Sequence, residues 1–264
     1  MMDAVLDLVA FVLSLFFLSY SAYSDLKTRE VSDRVWVTYL PLAISILFLR
    51  LVLAPDLLIM SIASVFVALC LSFLVFYMGL FGGADAKALI CLSIALPSYP
   101  SFCKPLLTVL NPLFPLAILY NSYLFSLSTV AYVVVKNLTW KYKTRRGLFE
   151  NYEAAPLLTK IATFLTGYKT RFKVLKDRVY LYPMEEILRN NGGFSRRLKL
   201  FTPADIERND LVRDLEGCLM NDEEVWVTPG IPLLVFVLIG LVSTTLIGDV
   251  LIWIVIQGVS TVIR

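Results

Sequence analysis

Two aspartates occupy positions where a membrane-spanning chain tolerates acidic groups least. Asp25 ends the first long apolar run, and Asp85 lies between the third and fourth runs, within Phe81-Gly82-Gly83-Ala84-Asp85-Ala86-Lys87. Ionisable side chains at hydrophobic depth are costly and usually functional. Two carboxyl groups also suffice for a hydrolase, because an ionised carboxylate deprotonates water while a protonated one polarises a carbonyl group. The pair is therefore the first candidate for chemistry in this chain.

Shared-proton chemistry requires the two carboxyl groups to lie close together. Close approach separates their titrations, and a low-dielectric environment favours the singly ionised pair because two adjacent anions repel each other strongly. The small residues Gly82, Gly83 and Ala84 allow another helix or an extended peptide to approach Asp85. Small and hydroxylic residues also precede Asp25. Neither segment resembles an ordinary lipid-facing helix end.

Other catalytic chemistries are restricted by composition. The chain contains no histidine, which excludes Ser-His and Cys-His nucleophile systems and the HExxH zinc site. No CxxC spacing occurs among the four cysteines, which we expect to pack mainly as small hydrophobes: Cys70, Cys91, Cys103 and Cys218. We therefore expect neither a metal ion nor a cofactor.

The apolar composition indicates an integral membrane protein. Hydrophobic residues make up 58% of the 264 residues, the mean hydropathy is +0.74, and several runs approach the ~20 residues that cross a bilayer. The first run lacks a basic region before it and begins with Asp3 and Asp7, so we expect a retained helix and not a cleaved signal peptide.

The fold class predicted from hydropathy is an α-helical integral membrane protein with about six transmembrane helices. The predicted helices cover roughly 4–24, 33–54, 57–80, 86–97, 111–135 and 231–256. The fourth is the shortest, since its apolar stretch from Ala86 to Leu96 is only about 17 Å long at ~1.5 Å per residue.

A hydrophilic insert is predicted before the last helix. Of the 24 Lys and Arg residues, 17 fall between Lys136 and Thr228, together with 13 acidic residues. We expect a small α+β domain at 137–228, between a membrane part at 1–136 that carries both aspartates and a last helix within 229–264. Its pattern predicts a helix at 154–165, strands at 171–175, 178–182 and 196–201, and a helix that Thr202 caps.

Basic residues predict the orientation of the chain in the membrane. Three lie in the loop after the first helix, Lys87 lies in the turn before the fourth, and most others lie in the insert. The positive-inside rule then puts the insert, Asp25 and Asp85 on the cytoplasmic side. The pair Arg145-Arg146 is interpreted as contacting anionic lipid, and no motif supports binding of nucleic acid.

The chain resembles the type IV prepilin peptidases, and in particular their archaeal preflagellin and prepilin branch. The resemblance rests on Asp25 followed by a short basic loop, on the G-x-G-D-x-K-like sequence around Asp85, and on Val225-Trp226-Val227-Thr228-Pro229 leading into the last helix. It implies that Asp25 and Asp85 are the catalytic pair and that Gly82 and Lys87 belong to the motif. Ala84 departs from the family pattern, which often has glycine there.

The same resemblance implies an aspartic endopeptidase without a cofactor. The implied partners of this enzyme are the lipid bilayer and membrane-anchored pilin-like or flagellin-like precursors. From these precursors the enzyme would remove a short basic leader. Cleavage is expected at the cytoplasmic face of the cell membrane, where the leader of a precursor would lie when its apolar helix is in the bilayer.

Each candidate residue also has a purely structural interpretation. Asp25 alone could pair with Lys27 or Arg29, and Asp85 alone could cap the fourth helix. Lys87 is expected near the interface, extended towards water or paired with Asp85. Asp249, in an apolar run, is expected to be structural.

Two other function classes stay open from the residues alone. A membrane hydrolase could use Ser24 with Lys27 or Lys87. A small transporter could use Asp25, Asp85 and Asp249 as a proton or cation relay, although the sequence has no detectable repeat.

Overall fold

The computed structural model describes residues 2–78, 82–107, 111–190, 193–200 and 208–263. It divides into two compact units, one formed by Met1–Ser126 with Pro232–Arg264 and one formed by Leu127–Ile231. The limits of 137 and 228 for an inserted domain stay a prediction.

The α-helices of the described residues follow one another in chain order. They are α1 (Met2–Thr28), α2 (Asp33–Leu53), α3 (Leu58–Tyr77), α4 (Gly83–Ala95), α5 (Phe114–Thr144), α6 (Leu157–Thr166), α7 (Phe172–Asp177), α8 (Arg208–Glu216), α9 (Leu233–Leu246) and α10 (Val250–Ile263). The strands are β1 (Tyr168–Arg171), β2 (Leu181–Pro183), β3 (Glu185–Asn190), β4 (Gly193–Leu198) and β5 (Glu224–Pro229). Short 3₁₀ turns occur at Pro55–Leu57 and Glu150–Tyr152.

The predicted helical membrane fold is confirmed. Within the described ranges, α1, α2, α3 with the turn before it, and α5 are long and apolar enough to cross a bilayer, and α9 with α10 forms a fifth candidate bent by 64°. Gly248 lies at that bend with a φ of +100°, which residues with a side chain rarely adopt. The predicted count of six stays a prediction, because α4 has 13 residues and is about 20 Å long.

Helix α4 is held by close packing against α1, α2, α3 and α9. The face of α3 that is buried consists of small residues spaced by three or four positions: Ser61, Ser64, Ala68 and Ser72. Small side chains let helices approach closely in a membrane, where van der Waals contact drives association. The packing therefore fixes the position of α4, whose first turn carries Asp85.

A buried ion pair joins three segments of the first unit. Arg50 Nη2 lies 2.6 Å from Asp7 Oδ1, and both side chains are about 95% buried. Arg50 Nη1 donates to the Ala95 carbonyl, and the Ser101 backbone N–H donates to Asp7 Oδ2 at 2.6 Å. The pair thus connects α1, α2 and the end of α4.

The second unit contains an antiparallel sheet in the order β1-β5-β2 and an antiparallel hairpin of β3 and β4. Tyr168 of β1 pairs with Val227 of β5 in the sheet. The Glu185 carboxylate of β3 accepts the Trp226 backbone N–H at 2.6 Å and lies 2.6 Å from Arg196 of β4. Arg196 also donates to the Glu224 carbonyl, so this polar network joins the hairpin to β5.

Local structure in the second unit differs from the sequence prediction in its strands. The strand predicted at 178–182 is β2, which begins only at Leu181, and the strand predicted at 196–201 is β4, which begins at Gly193 and ends at Leu198.

The strand predicted at 171–175 is wrong: Phe172 begins α7, and the strand β1 ends at Arg171. Phe172 and Leu175 are both buried, and their spacing of three residues puts them on one face of a helix. The predicted helix at 154–165 corresponds to α6. The start of the helix predicted at Thr202 lies outside the described residues.

The Asp7–Arg50 pair predicts the effect of substitutions on stability. Asp7→Leu or Arg50→Met alone leaves one buried charge without its partner, which costs about 3–5 kcal/mol in the free energy of unfolding. The combined Asp7→Leu/Arg50→Met variant removes both charges, and we expect it to regain most of that loss. Thermal unfolding of the purified protein in detergent measures the effect.

The exposed residue Lys104 provides the matched control, since Lys104→Met also removes a basic charge and leaves no partner buried. Single Asp7 and Arg50 variants that melt at the temperature of the Lys104→Met variant would contradict a structural role for the pair.

Candidate active site

Asp25 lies in the last turn of α1 and has two groups that favour its anionic form. The Arg29 guanidinium lies 3.7 Å from its carboxylate, and the two side chains are 18% and 15% exposed. The Leu234 backbone N–H, in the first turn of α9, also favours the ionised form of the same carboxylate. N–H groups at the start of a helix have no partner within the helix and attract negative charge. Asp25 therefore has fixed positive partners from two helices.

Arg29 ends α1 in an unusual backbone conformation. Its φ is +61°, in the left-handed region that is uncommon for residues other than glycine, and its N–H donates to the Asp25 carbonyl at 3.2 Å. The conformation ends the helix one turn beyond Asp25 and returns the side chain to the Asp25 carboxylate. Asp25 thus pairs with Arg29, as its structural interpretation expected, and it also lines a cavity.

Asp85 lies in the first turn of α4 and binds the helix end. Its Oδ2 accepts the Gly82 backbone N–H at 3.0 Å, so the expected helix capping by Asp85 is also present. A Cβ atom added to Gly82 would lie 3.1 Å from that same oxygen. A side chain at position 82 would therefore crowd the carboxylate, and the φ of Gly82, −72°, is an ordinary one.

Both carboxylates line one open cavity of about 490 Å³. They are 60 residues apart in the sequence, and the charge of Asp25 acts on Asp85 across the cavity. The other lining residues come from the loop after α1, from the start of α4 and from the start of α9: Arg29, Glu30, Val31, Asp33, Gly82, Gly83, Ala84 and Leu234. Among the described residues, four acidic residues and one arginine thus line this space, so acidic groups outnumber basic ones in its lining.

On its inner side, Asp85 adjoins apolar side chains. A nearly closed space of about 10 Å³ lies between Asp85 and aliphatic residues of α4, α5 and α9: Leu89, Leu92, Ile118, Leu119, Leu233 and Val237. An apolar neighbourhood disfavours a charged carboxylate. The surroundings of the two aspartates therefore differ in polarity.

Lys87 binds Asp33 and not Asp85. Its ammonium nitrogen lies 2.5 Å from Asp33 Oδ1, and the two side chains are 45% and 77% exposed. The contact links the first turn of α4 to the first turn of α2. Lys87 was expected near the interface, extended towards water or paired with Asp85, and its partner Asp33 was not anticipated.

Gly83 and Ala84 form the wall of the cavity in the first turn of α4. A Cβ atom added to Gly83 would have its nearest neighbour at 4.0 Å, in the Phe76 ring. Ala84 lies within α4 and has helical backbone angles. It is not among the described non-glycine residues with a positive φ, which are Arg29 and Arg145. The alanine that departs from the family pattern therefore needs no glycine conformation.

The remaining candidates lie in other contacts. Asp249 is buried, and its Oδ1 accepts the Ile252 N–H at 3.1 Å, which caps α10. The Lys27 ammonium lies 5.8 Å from the centre of the Tyr23 ring, and the Thr28 hydroxyl donates to the Ser24 carbonyl at 2.9 Å. The described residues contain no group of three Asp, Glu or Cys side chains arranged to hold a metal ion.

Two neighbours of the candidate aspartates, Asp33 and Leu234, were missed by the sequence analysis. Asp33 and Lys87 are 54 residues apart, and opposite charge alone does not indicate a pair. Leu234 contributes its backbone, so its side-chain type gives no signal. Pro232, immediately before α9, is the sequence feature that marks a helix start there.

Comparison with known proteins gives two kinds of match. The profile of the type IV leader peptidase family matches residues 12–135, which include both aspartates, and the profile of the archaeal peptidase A24 C-terminus type II matches residues 159–250. The preflagellin peptidase of Methanocaldococcus jannaschii is 26% identical over 253 residues, which cover 92% of this chain and 95% of that protein.

Two further relatives have the same extent of similarity. The preflagellin peptidase of Methanococcus voltae is 26% identical over 254 residues, with 92% of this chain and 96% of that protein covered. The preflagellin peptidase of Methanococcus maripaludis is 24% identical over 250 residues, with the same two coverages. From the two profile matches, which together cover most of its length, this multi-pass membrane protein is a peptidase that belongs to the type IV leader peptidase family.

Proposed function

We propose that this peptidase removes a short basic leader from pilin-like or flagellin-like precursors at the cytoplasmic face of the membrane, with Asp25 and Asp85 as its catalytic pair. The observation that carries the proposal is the single cavity that both carboxylates line. The preflagellin peptidases among its relatives support precursors of flagellin as substrates.

The charge of the cavity suits the proposed substrate. Glu30 adds negative charge beside the two aspartates, Asp33 is paired with Lys87, and Arg29 is the basic residue of the described lining. A basic leader is attracted to such a surface, while the apolar helix of the precursor stays in the lipid. The scissile bond of the precursor then lies at the membrane edge, where water reaches the carboxylates directly.

The surroundings of the two aspartates support different roles for them. Asp25 is the general base, because Arg29 and the Leu234 N–H stabilise its anion. Asp85 is the general acid, because its inner side adjoins the apolar residues of α4, α5 and α9. Asp25 takes a proton from water as the water oxygen bonds to the scissile carbonyl carbon, and Asp85 gives its proton to the carbonyl oxygen.

Collapse of the tetrahedral intermediate restores both groups. The C–N bond breaks as the proton on Asp25 passes to the leaving nitrogen, and a hydroxyl of the intermediate returns a proton to Asp85. The products are a carboxylic acid on the leader and an amine on the mature subunit. Asp25 is again ionised and Asp85 again protonated.

Asparagine substitutions test the proposed dyad. Asp25→Asn and Asp85→Asn each remove one step of proton transfer, and we expect cleavage to fall by about 10²–10⁴-fold or more while the fold is retained. Cleavage of a precursor with a basic leader is measured by the mobility shift of the product in membranes. Melting temperatures report the fold.

Asp56→Asn, an exposed change in the turn before α3, is the matched control and should cleave normally. Full activity in either Asn variant of the dyad would reject this mechanism. Full activity in both would favour a Ser-Lys hydrolase.

Charge at position 29 has a separate expected effect. Arg29→Gln removes the cation beside Asp25, and kcat/KM should fall roughly fivefold, since partly exposed ion pairs contribute up to about 1 kcal/mol. Arg29→Lys keeps the charge and should retain most activity. Both variants carry a side chain at the same positive φ. If kcat/KM fell equally in the two, the cause would be backbone strain or side-chain shape and not charge.

Neighbouring glycines predict a contrast in activity. Gly82→Ala brings a methyl group against Asp85 Oδ2 and should lower kcat roughly tenfold, because displacement of a catalytic group by about 1 Å costs about 10²-fold. Gly83→Ala has open space for its methyl group and should remain active. Steady-state cleavage rates of the two variants make the comparison, and equal rates would contradict close contact at Gly82.

A further inference from the structure

Helix α6 presents an apolar face to the outside of its own unit. The exposed fractions of Leu157, Leu158, Ile161 and Leu165 are 72%, 80%, 47% and 39%. At 3.6 residues per turn, these four side chains fall within an arc of about 100°. The arc has the width typical of the face by which a helix packs on a core.

The opposite side of α6 packs against the rest of the unit through polar groups. Thr163 lies roughly opposite the apolar arc and is fully buried. Lys160 donates to the Glu153 carbonyl at 2.8 Å. The usual arrangement of a surface helix is thus reversed, because the small and polar side faces inward. An apolar arc of this kind requires an apolar partner from outside the unit.

The attachment of α6 to α5 indicates where along α5 that apolar partner lies. The buried Asn137 side chain donates to the carbonyls of Phe164 and Gly167, at 2.9 and 2.7 Å. These bonds satisfy carbonyls at the C-terminal end of α6, so that end is fixed beside Asn137 of α5.

The uncharged, apolar stretch of α5 ends immediately before Lys136 and Asn137. No charged residue occurs from Phe114 to Val135, a helical length of about 33 Å that matches the ~30 Å hydrocarbon thickness, and Lys136 is the first charge. Exposed basic residues follow at Lys141, Lys143 and Arg145-Arg146. Basic residues at this position complement anionic lipid headgroups.

We propose that α6 is an interfacial membrane helix, whose face of Leu157, Leu158, Ile161 and Leu165 inserts among the lipid headgroups and upper acyl chains of the bilayer that α5 spans. The helix is short, and its amphipathic pattern with adjacent basic residues is typical of segments that lie in the membrane plane. The inference concerns lipid binding by the second unit and does not depend on the proposed peptidase mechanism.

A depth measurement by spin labelling tests the proposal. A cysteine-free full-length chain receives a nitroxide at Leu158→Cys or, as the matched control outside the apolar arc of the same helix, at Thr166→Cys. The protein is placed in nanodiscs of phosphatidylcholine and phosphatidylglycerol. Collision of each label with oxygen and with a water-soluble nickel chelate is measured.

We expect the oxygen-to-nickel accessibility ratio to be several times higher at Leu158 than at Thr166, because oxygen concentrates in lipid and the chelate stays in water. A ratio equal to that of the control, with free access of nickel, would overturn the proposal. So would exclusion of both reagents at Leu158, since protein would then cover the face. Ile161→Cys repeats the measurement on the same arc if the Leu158 label disturbs folding.

Discussion

A carboxylate at the edge of a bilayer remains ionised only where fixed positive charge or backbone N–H groups replace the water it has lost. Asp25 has such partners in Arg29, one turn further along the chain, and in the first turn of α9. Helices α1 and α9 come from opposite ends of the chain and pack against each other. The electrostatic requirement of one side chain therefore depends on the packing of the whole first unit.

The same requirement governs the other polar groups buried in that unit. Asp7 lies on the same helix as Asp25, about 27 Å away at ~1.5 Å per residue, and its charge is balanced by Arg50. At the bend between α9 and α10, the Asn121 side chain donates to the Gly248 carbonyl and accepts the Val250 N–H. Polar groups that no water reaches thus connect helices and hold the helices that carry the site.

The contacts of the candidate site are concentrated where helices begin or end. Helix ends leave N–H and carbonyl groups without partners, and these groups bind carboxylates and amides directly. The Leu234 N–H at Asp25 and the Gly82 N–H at Asp85 are examples in the first unit. In the second unit, Asn137 serves the end of α6 in the same way.

The sequence by itself determined the helical membrane class, the two candidate aspartates and the hydrophilic segment, because apolar length, rare intramembrane acids and charge density are properties of composition and order. It did not determine that Lys87 binds Asp33, that α7 replaces a strand, or that an apolar residue such as Leu234 contributes its backbone to the site. Those outcomes depend on which helix ends lie close together. The packing of small residues against α4 is one of the contacts that decide which ends do so. Only the tertiary structure brings Asp25 and Asp85 to one cavity, because close packing of helices distant in the sequence sets which side chains share a low-dielectric space.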